Sequence, residues 1–236
     1  MIRNKKLLAS VVGALLLASC GGSGESASGD TSQERVKNAA LTTVAPSCKS
    51  GGECRVGDTG PGGGTVFYVG TEKINSYGDK YPGGRYMEFL DSKENAATTF
   101  LCSSNIAGTA TGVGTGAKNT SVLKEKCPSK LQSRPINVAY SPADNGISNE
   151  MSDWFLPSND ELNLICRFSR GQSTATNEKC NAKLTPIAGY NFTTPQWSSS
   201  VFGAQLQHVV PFKEGGATTG NKSNDKYRFL LVRAFG

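Results

Sequence analysis

Apolar and polar positions along the chain divide it into a short apolar leader, a polar stretch and a longer region of alternating strand and helix signals. Thr65-Val66-Phe67-Tyr68-Val69 is β-branched and aromatic throughout and predicts a strand. Arg85 to Leu90 alternates, with Tyr86 and Glu88 on one face and Met87 and Phe89 on the other, which predicts a second. Gln196–Val201, Gln205–Val210 and Tyr227–Phe235 predict three more, the last the strongest and expected to tuck into the sheet. Two helices are expected. One is short, Ser121–Cys127, capped by Thr120 and ended by Pro128. The other follows Ser158, where Ser-Asn-Asp-Glu has the spacing of a capping box. From Leu162 onward, Leu164, Ile165, Cys166 and Phe168 cover more than half of its circumference, the mark of a deeply packed helix.

Turn residues separate these elements. Gly57-Asp58-Thr59-Gly60-Pro61-Gly62-Gly63-Gly64 reads as a turn feeding the first strand; it lacks the Gly-Lys-Ser/Thr of a phosphate loop and is far too short for a collagen helix. Asn75–Gly84, Ala107–Lys118 and Leu131–Asn149 read as loop, the last because of Pro135, Pro142 and Asn145-Gly146. Gly171–Ala182 reads as a polar loop and Gly215–Asp225 as a polar hairpin tip. Short strands around about two helices, with no repeating βαβ unit, indicate the α+β class.

The leader changes the picture. Met1 to Lys6 is basic, Leu7 to Ala18 is apolar, and Leu17-Ala18-Ser19-Cys20 follows. This is an export signal too short to span a bilayer. Its ending resembles a bacterial lipobox, so residues 1–19 are expected to be removed and Cys20 to carry lipid, anchoring the chain in the cell envelope. Gly21 rather than Asp after the cysteine fits outer-membrane sorting in a diderm host; otherwise the anchor is the outer face of the cytoplasmic membrane. Residues 20–45, rich in Gly, Ser and Glu with few large apolar side chains, form a flexible tether. Residues 46–236, roughly 190, suffice for one core.

Charge and cysteine count narrow the chemistry. The formal charge is +6, and loss of Arg3, Lys5 and Lys6 with the leader lowers it to +3. That mild excess does not argue for nucleic acid, but it leaves room for an anionic polysaccharide. Of the seven cysteines, six remain once Cys20 is given to lipid, an even number in an oxidising compartment. Six cysteines allow fifteen pairings. Nearest neighbours, Cys48–Cys54, Cys102–Cys127 and Cys166–Cys180, each close a polar local loop. No Cys-x-x-Cys occurs and His208 is the single histidine, so neither a metal nor a cofactor is expected. His208 sits mid-strand without a nucleophile motif, and capping already explains Asp160 and Glu161. Lys213, Lys222, Lys226 and Arg228, with Arg233, concentrate basic charge in the last quarter of the chain and are the candidate glycan-binding residues.

Five segments in this order carry a resemblance: Gly57-Asp58-Thr59-Gly60-Pro61-Gly62-Gly63 with Val66-Phe67-Tyr68; Gly114-Thr115-Gly116 with Asn119-Thr120; Asp153-Trp154-Phe155-Leu156-Pro157-Ser158 with Glu161-Leu162; Trp197-Ser198-Ser199-Ser200; and Val232-Arg233-Ala234-Phe235. From about Arg55 onward the chain resembles the C-terminal domain family of the Legionella collagen-like adhesin. The resemblance implies a C-type-lectin-like fold related to formylglycine-generating enzymes, with the N- and C-terminal strands paired, here Thr65–Val69 with Arg228–Phe235. It implies a non-catalytic module for glycan binding or adhesion, since the adhesin's domain binds sulfated glycosaminoglycans. The chain lacks collagen repeats, and it lacks the Glu-Pro-Asn, Gln-Pro-Asp and Trp-Asn-Asp motifs through which C-type lectins hold calcium and sugar. The alternatives are a structural envelope lipoprotein that binds another protein, and an enzyme using a cysteine pair as the formylglycine-generating relatives do. A binding site is expected on the loops Gly171–Ala182 and Gly215–Asp225.

Overall fold

Among the described residues the fold comprises two small antiparallel sheets and three α-helices. The computed structural model describes residues 46–90, 97–102, 106–127, 134–145, 151–216, 218–222 and 224–236; Cys20 and Pro128 lie outside them. The first sheet has the order β1-β2-β6, with β1 Thr65–Ile74, β2 Gly84–Leu90 and β6 Leu231–Phe235. The second has the order β3-β4-β5, with β3 Gln196–Val201, β4 Leu206–Val210 and β5 Thr218–Asn221. The helices are α1 Gly116–Lys126, α2 Arg134–Tyr140 and α3 Asn159–Ser169. This is a disulfide-stabilised α+β domain.

The first sheet corrects the expected strand pairing. β1 and the C-terminal strand do not pair with each other; β2 lies between them, antiparallel to both. The alternation of β2 explains this. Met87 and Phe89 pack into one apolar cluster, Tyr86 packs into another with Val66 and Phe235, and Glu88 is buried as well. A strand buried on both faces belongs in the middle of a sheet.

Three other expectations change. The first predicted helix starts at Gly116 rather than Ser121, and Thr120 lies inside it. Asn119 and Thr120 look like capping residues because their side chains bond backbone groups, and they do so here from within the helix. The Leu131–Asn149 loop contains α2, with Pro135 in its first turn, where a missing N–H costs nothing. Its buried Pro135, Ile136, Val138 and Ala139 give it an apolar face. The Gly215–Asp225 tip contains β5, whose Thr-Thr-Gly-Asn sequence has no strand signature. Pairing with β4 makes it a strand, with His208 opposite Thr219.

The cysteines form nearest-neighbour disulfides, Cys48–Cys54, Cys102–Cys127 and Cys166–Cys180. Their loops are short in sequence, and each ties a polar segment to a buried half-cystine. The segment Asp153–Ser158 stitches the two sheets together. Phe155 exchanges both backbone hydrogen bonds with Val232 of β6, at 2.8 and 2.9 Å, and Pro157 accepts the Ser199 N–H of β3 at 2.7 Å.

Candidate functional site

The motif residues come together, and they do so around two buried glutamates. The first is Glu88, fully buried on β2. Gly62 and Gly64 donate their N–H groups to its two carboxylate oxygens, each at 2.9 Å. The sheet register sets Arg233 of β6 directly opposite, and its Nη1 reaches Glu88 Oε1 at 3.1 Å. Arg233 Nε donates to Asp153 Oδ1 at 2.5 Å. The alternating glycines are a steric requirement: a Cβ at Gly60 would lie 2.5 Å from Glu88 Oε2, and one at Gly62 would lie 2.6 Å from the Trp154 ring. The turn can wrap the carboxylate only because those positions lack side chains. The ring of Trp154, fully buried, closes one side.

The second is Glu161, also fully buried. The predicted capping box is present. Ser158 Oγ accepts the Glu161 N–H at 3.2 Å, and Glu161 Oε2 accepts the Ser158 N–H at 2.8 Å. The other oxygen, Oε1, accepts Asn75 Nδ2 at 3.0 Å, Gly114 N–H at 2.9 Å and Gly116 N–H at 3.4 Å. Burial pushes this carboxyl above the ordinary carboxylate value, while the donors from Ser158, Asn75, Gly114 and Gly116 pull it back. Every one of those partners is an N–H, so the geometry suits the ionised form. Gly114 takes φ +88° and Asn75 takes φ 56°, the left-handed region that Gly and Asn tolerate best.

The remaining motif residues join the loop before α1 to this second centre. Asn119 exchanges hydrogen bonds with Ala110 at 2.9 and 2.7 Å and donates to Ser199 Oγ at 3.2 Å. Ser200 Oγ donates to Ala110 O at 2.8 Å and accepts the Asn159 N–H at 3.0 Å. Thr120 Oγ1 donates to Gly116 O and accepts the Leu156 N–H, both at 2.9 Å. Together these residues form a buried polar framework. Glu88 and Asn75 lie outside the candidate residues that the sequence suggests. The signal for Glu88 is a carboxylate between Met87 and Phe89 in an otherwise apolar strand, with glycines at alternate positions upstream.

The basic candidates differ in exposure. Lys213 lies on the turn after β4 and is exposed, Lys226 is exposed between β5 and β6, and Arg228 is half-buried. Arg228 has a backbone role as well: its carbonyl accepts the Trp197 N–H at 2.8 Å. Lys222 must be withdrawn as a glycan contact. It is fully buried, and its Nζ donates to the carbonyls of Gly203 and Ala204 at 2.8 and 3.3 Å, capping the β3–β4 turn. Burial pushes its pKa down to about 8. Lys222 fills a turn because the neighbouring backbone offers carbonyl oxygens. Arg233, committed to Glu88 and Asp153, is likewise not a free surface charge. His208 is half-buried, edge-on to the exposed Phe202 ring at 5.2 Å. Burial lowers its pKa, and Asp160 acts in the opposite sense.

Open depressions lie near the start of the described chain. One of about 520 Å³ is lined by Ser47, Lys49, Glu53, Arg55, Asp58 and Thr59 among others. Among the described residues, no group of three or more His, Cys, Asp or Glu gathers as a metal ion would require, and no helix is long and apolar enough to cross a membrane.

No protein-family model matches the chain, and no curated protein matches it. Among solved structures, the chain is similar to the crystal structure of a fimbrial protein from Bacteroides ovatus, at 14% identity and a TM-score of 0.48. The match covers 73% of this chain and 44% of that one, so this chain spans less than half of that protein's length.

Proposed function

We propose that the chain is an envelope lipoprotein, held to the membrane through Cys20, that displays a non-catalytic binding module for anionic polysaccharide. The observation that carries this reading is the role of the motif segments. The glycine runs, Asp153, Trp154, Glu161 and Arg233 are all engaged in holding the fold together, which leaves recognition to the surface around them. Support for the address comes from the lipobox-like Leu17-Ala18-Ser19-Cys20 and from six cysteines joined in three disulfides, as an oxidising compartment favours. The same pairing weighs against a formylglycine-type enzyme, whose cysteine pair needs a reactive thiol. The remaining basic excess favours an acidic glycan over a neutral one. We place the module on a C-type-lectin-like fold, as the motif resemblance implies.

Two experiments test this. Radiolabelled fatty acid should be incorporated into the wild-type chain and not into Cys20→Ala. The soluble chain from residue 44 onward should be retained on immobilised heparin at low ionic strength and released by salt; passage without retention sinks the acidic-glycan reading. A second reading, a structural lipoprotein that binds another envelope protein, draws on apolar side chains exposed at Leu184, Ile187 and Phe202. Cross-linking pull-down from intact cells, set against binding to a glycan array, separates the two.

A further inference from the structure

The loop after α3, residues 170–184, and the turn after β4, residues 211–216, lie against each other. A Cβ at Gly215 would sit 2.3 Å from the Cys180 carbonyl oxygen, and one at Gly216 would sit 2.6 Å from Lys179 Cε and 3.3 Å from its Nζ. Both glycines take left-handed φ, +70° and +77°, so the turn offers bare backbone to the loop. Arg170 pins the two segments together: Nη1 donates to Leu184 O at 3.1 Å and Nη2 to Phe212 O at 2.8 Å. The Cys166–Cys180 disulfide roots the loop on α3.

This junction is basic. Lys179 and Lys183 on the loop and Lys213 on the turn are all exposed. None of the three ammonium groups forms an ion pair among the described residues. The stem of Lys179 crosses Gly216, which carries its charge onto the turn that holds Lys213. Arg170 is buried, and its guanidinium meets carbonyl oxygens rather than a carboxylate. A buried charge is weakly screened by salt, so it adds to the positive potential of the surface around it. The acids here are Glu178, whose Oε2 is engaged by Arg167 at 3.2 Å, and Glu214 beside Lys213. Residues 167–184 and 211–216 together hold five basic and two acidic side chains, a net +3. That equals the formal excess of the whole chain without its leader, so the remainder is neutral on balance.

We infer that Lys179, Lys183 and Lys213 form the docking surface for an acidic polysaccharide, its sulfate or carboxylate groups lying across the junction of the two loops. This rests on the acidic-glycan reading and gives it a location. Of the basic residues that the sequence suggests, Lys213 belongs to this surface, while Lys222 and Arg233 are committed inside the fold. Exposed lysines act as point charges on flexible stems. Spread over two segments, they suit a polymer whose charge repeats along its length, because several weak contacts then act together.

The test uses the full-length chain and three probes: a heparin hexasaccharide carrying sulfate and carboxylate, a polygalacturonate hexamer carrying only carboxylate, and a polyglutamate of matched charge. Binding is followed by calorimetry at about 50 mM salt, where surface charges are weakly screened. Lys179→Gln/Lys183→Gln/Lys213→Gln should weaken binding of an acidic sugar about tenfold, the combined effect of three modest surface ion contacts. Lys49→Gln/Lys118→Gln/Lys226→Gln removes the same charge from exposed lysines elsewhere and should weaken it by less than about twofold. In wild-type protein, NMR resonances of Lys179, Lys183 and Lys213 should shift on titration, a readout independent of whether a variant folds. If wild type binds an acidic sugar and the first variant binds equally, or if both variants lose affinity alike, the surface is wrong and the acidic-glycan reading stands. Polyglutamate binding as tightly as the sugars, at the same lysines, overturns the glycan as occupant in favour of an acidic protein segment. If wild type binds neither acidic sugar, both the surface and the acidic-glycan reading fall.

Discussion

Arg233→Met asks how much the Glu88–Arg233–Asp153 network contributes. The side chain of Arg233 is 12% exposed, that of Asp153 is 11% exposed, and that of Glu88 is 0% exposed. Methionine keeps the apolar stem but removes the guanidinium, whose carbon lies 5.6 Å from the centre of the Phe235 ring. Glu88 would keep its two glycine amides and lose the guanidinium at 3.1 Å, and Asp153 would lose the 2.5 Å partner. Removing one member of a buried ion pair typically costs about 3–5 kcal/mol, because a charge is left uncompensated. Against a typical total of about 5–15 kcal/mol, that is a large share of the stability. With a urea dependence of about 2 kcal/mol per molar, the unfolding midpoint should fall by about 1.5–2.5 M. Trp154 and Trp197 are both fully buried, so tryptophan fluorescence reports the transition directly. A midpoint shift below about 0.5 M would show that the glycine amides alone satisfy Glu88 and that the arginine is dispensable.

Other expectations follow from the same contacts. Glu161→Gln turns an amide NH₂ toward the Ser158 N–H or the donors at Oε1 and should cost about 1–3 kcal/mol, read as a lowered thermal midpoint; an unchanged midpoint would mean that the site holds a neutral acid. Gly62→Ala drives a methyl into the Trp154 ring and should destabilise by about 1–3 kcal/mol in the same assay. Lys222 should titrate near pH 8 by NMR rather than at 10.5. Its folded pKa lies below its unfolded one, so the folded chain binds fewer protons between those values and this group makes stability rise with pH across that window; titration at the ordinary value refutes its burial. Paired Cys→Ala replacement should cost most at Cys102–Cys127, about 3.5 kcal/mol for its 25-residue separation, and least at Cys48–Cys54, about 2 kcal/mol for its separation of 6. Chemical denaturation of the oxidised variants checks the order.

Features whose physics is local were legible in the sequence. The capping box joins Ser158 to Glu161 three residues on, so its two hydrogen bonds need only one turn of helix. The strand over Thr65–Val69 follows from β-branched and aromatic side chains, and disulfides between neighbouring cysteines close loops at low entropic cost. The five motif segments are visible in the sequence, but their purpose is not, because they complete their bonding with residues far along the chain. Glu88 meets Arg233 across 145 positions, and Asn119 meets Ser199 across 80. Tertiary structure also decided against local preference elsewhere. Thr218–Asn221 is a strand because β4 offers an unpaired edge, α2 forms because its apolar face is buried and Pro135 falls in its first turn, and Lys222 is buried because turn carbonyls surround it. A side chain's type sets which bonds it can make, and the partners that complete them are brought into reach only when distant segments pack.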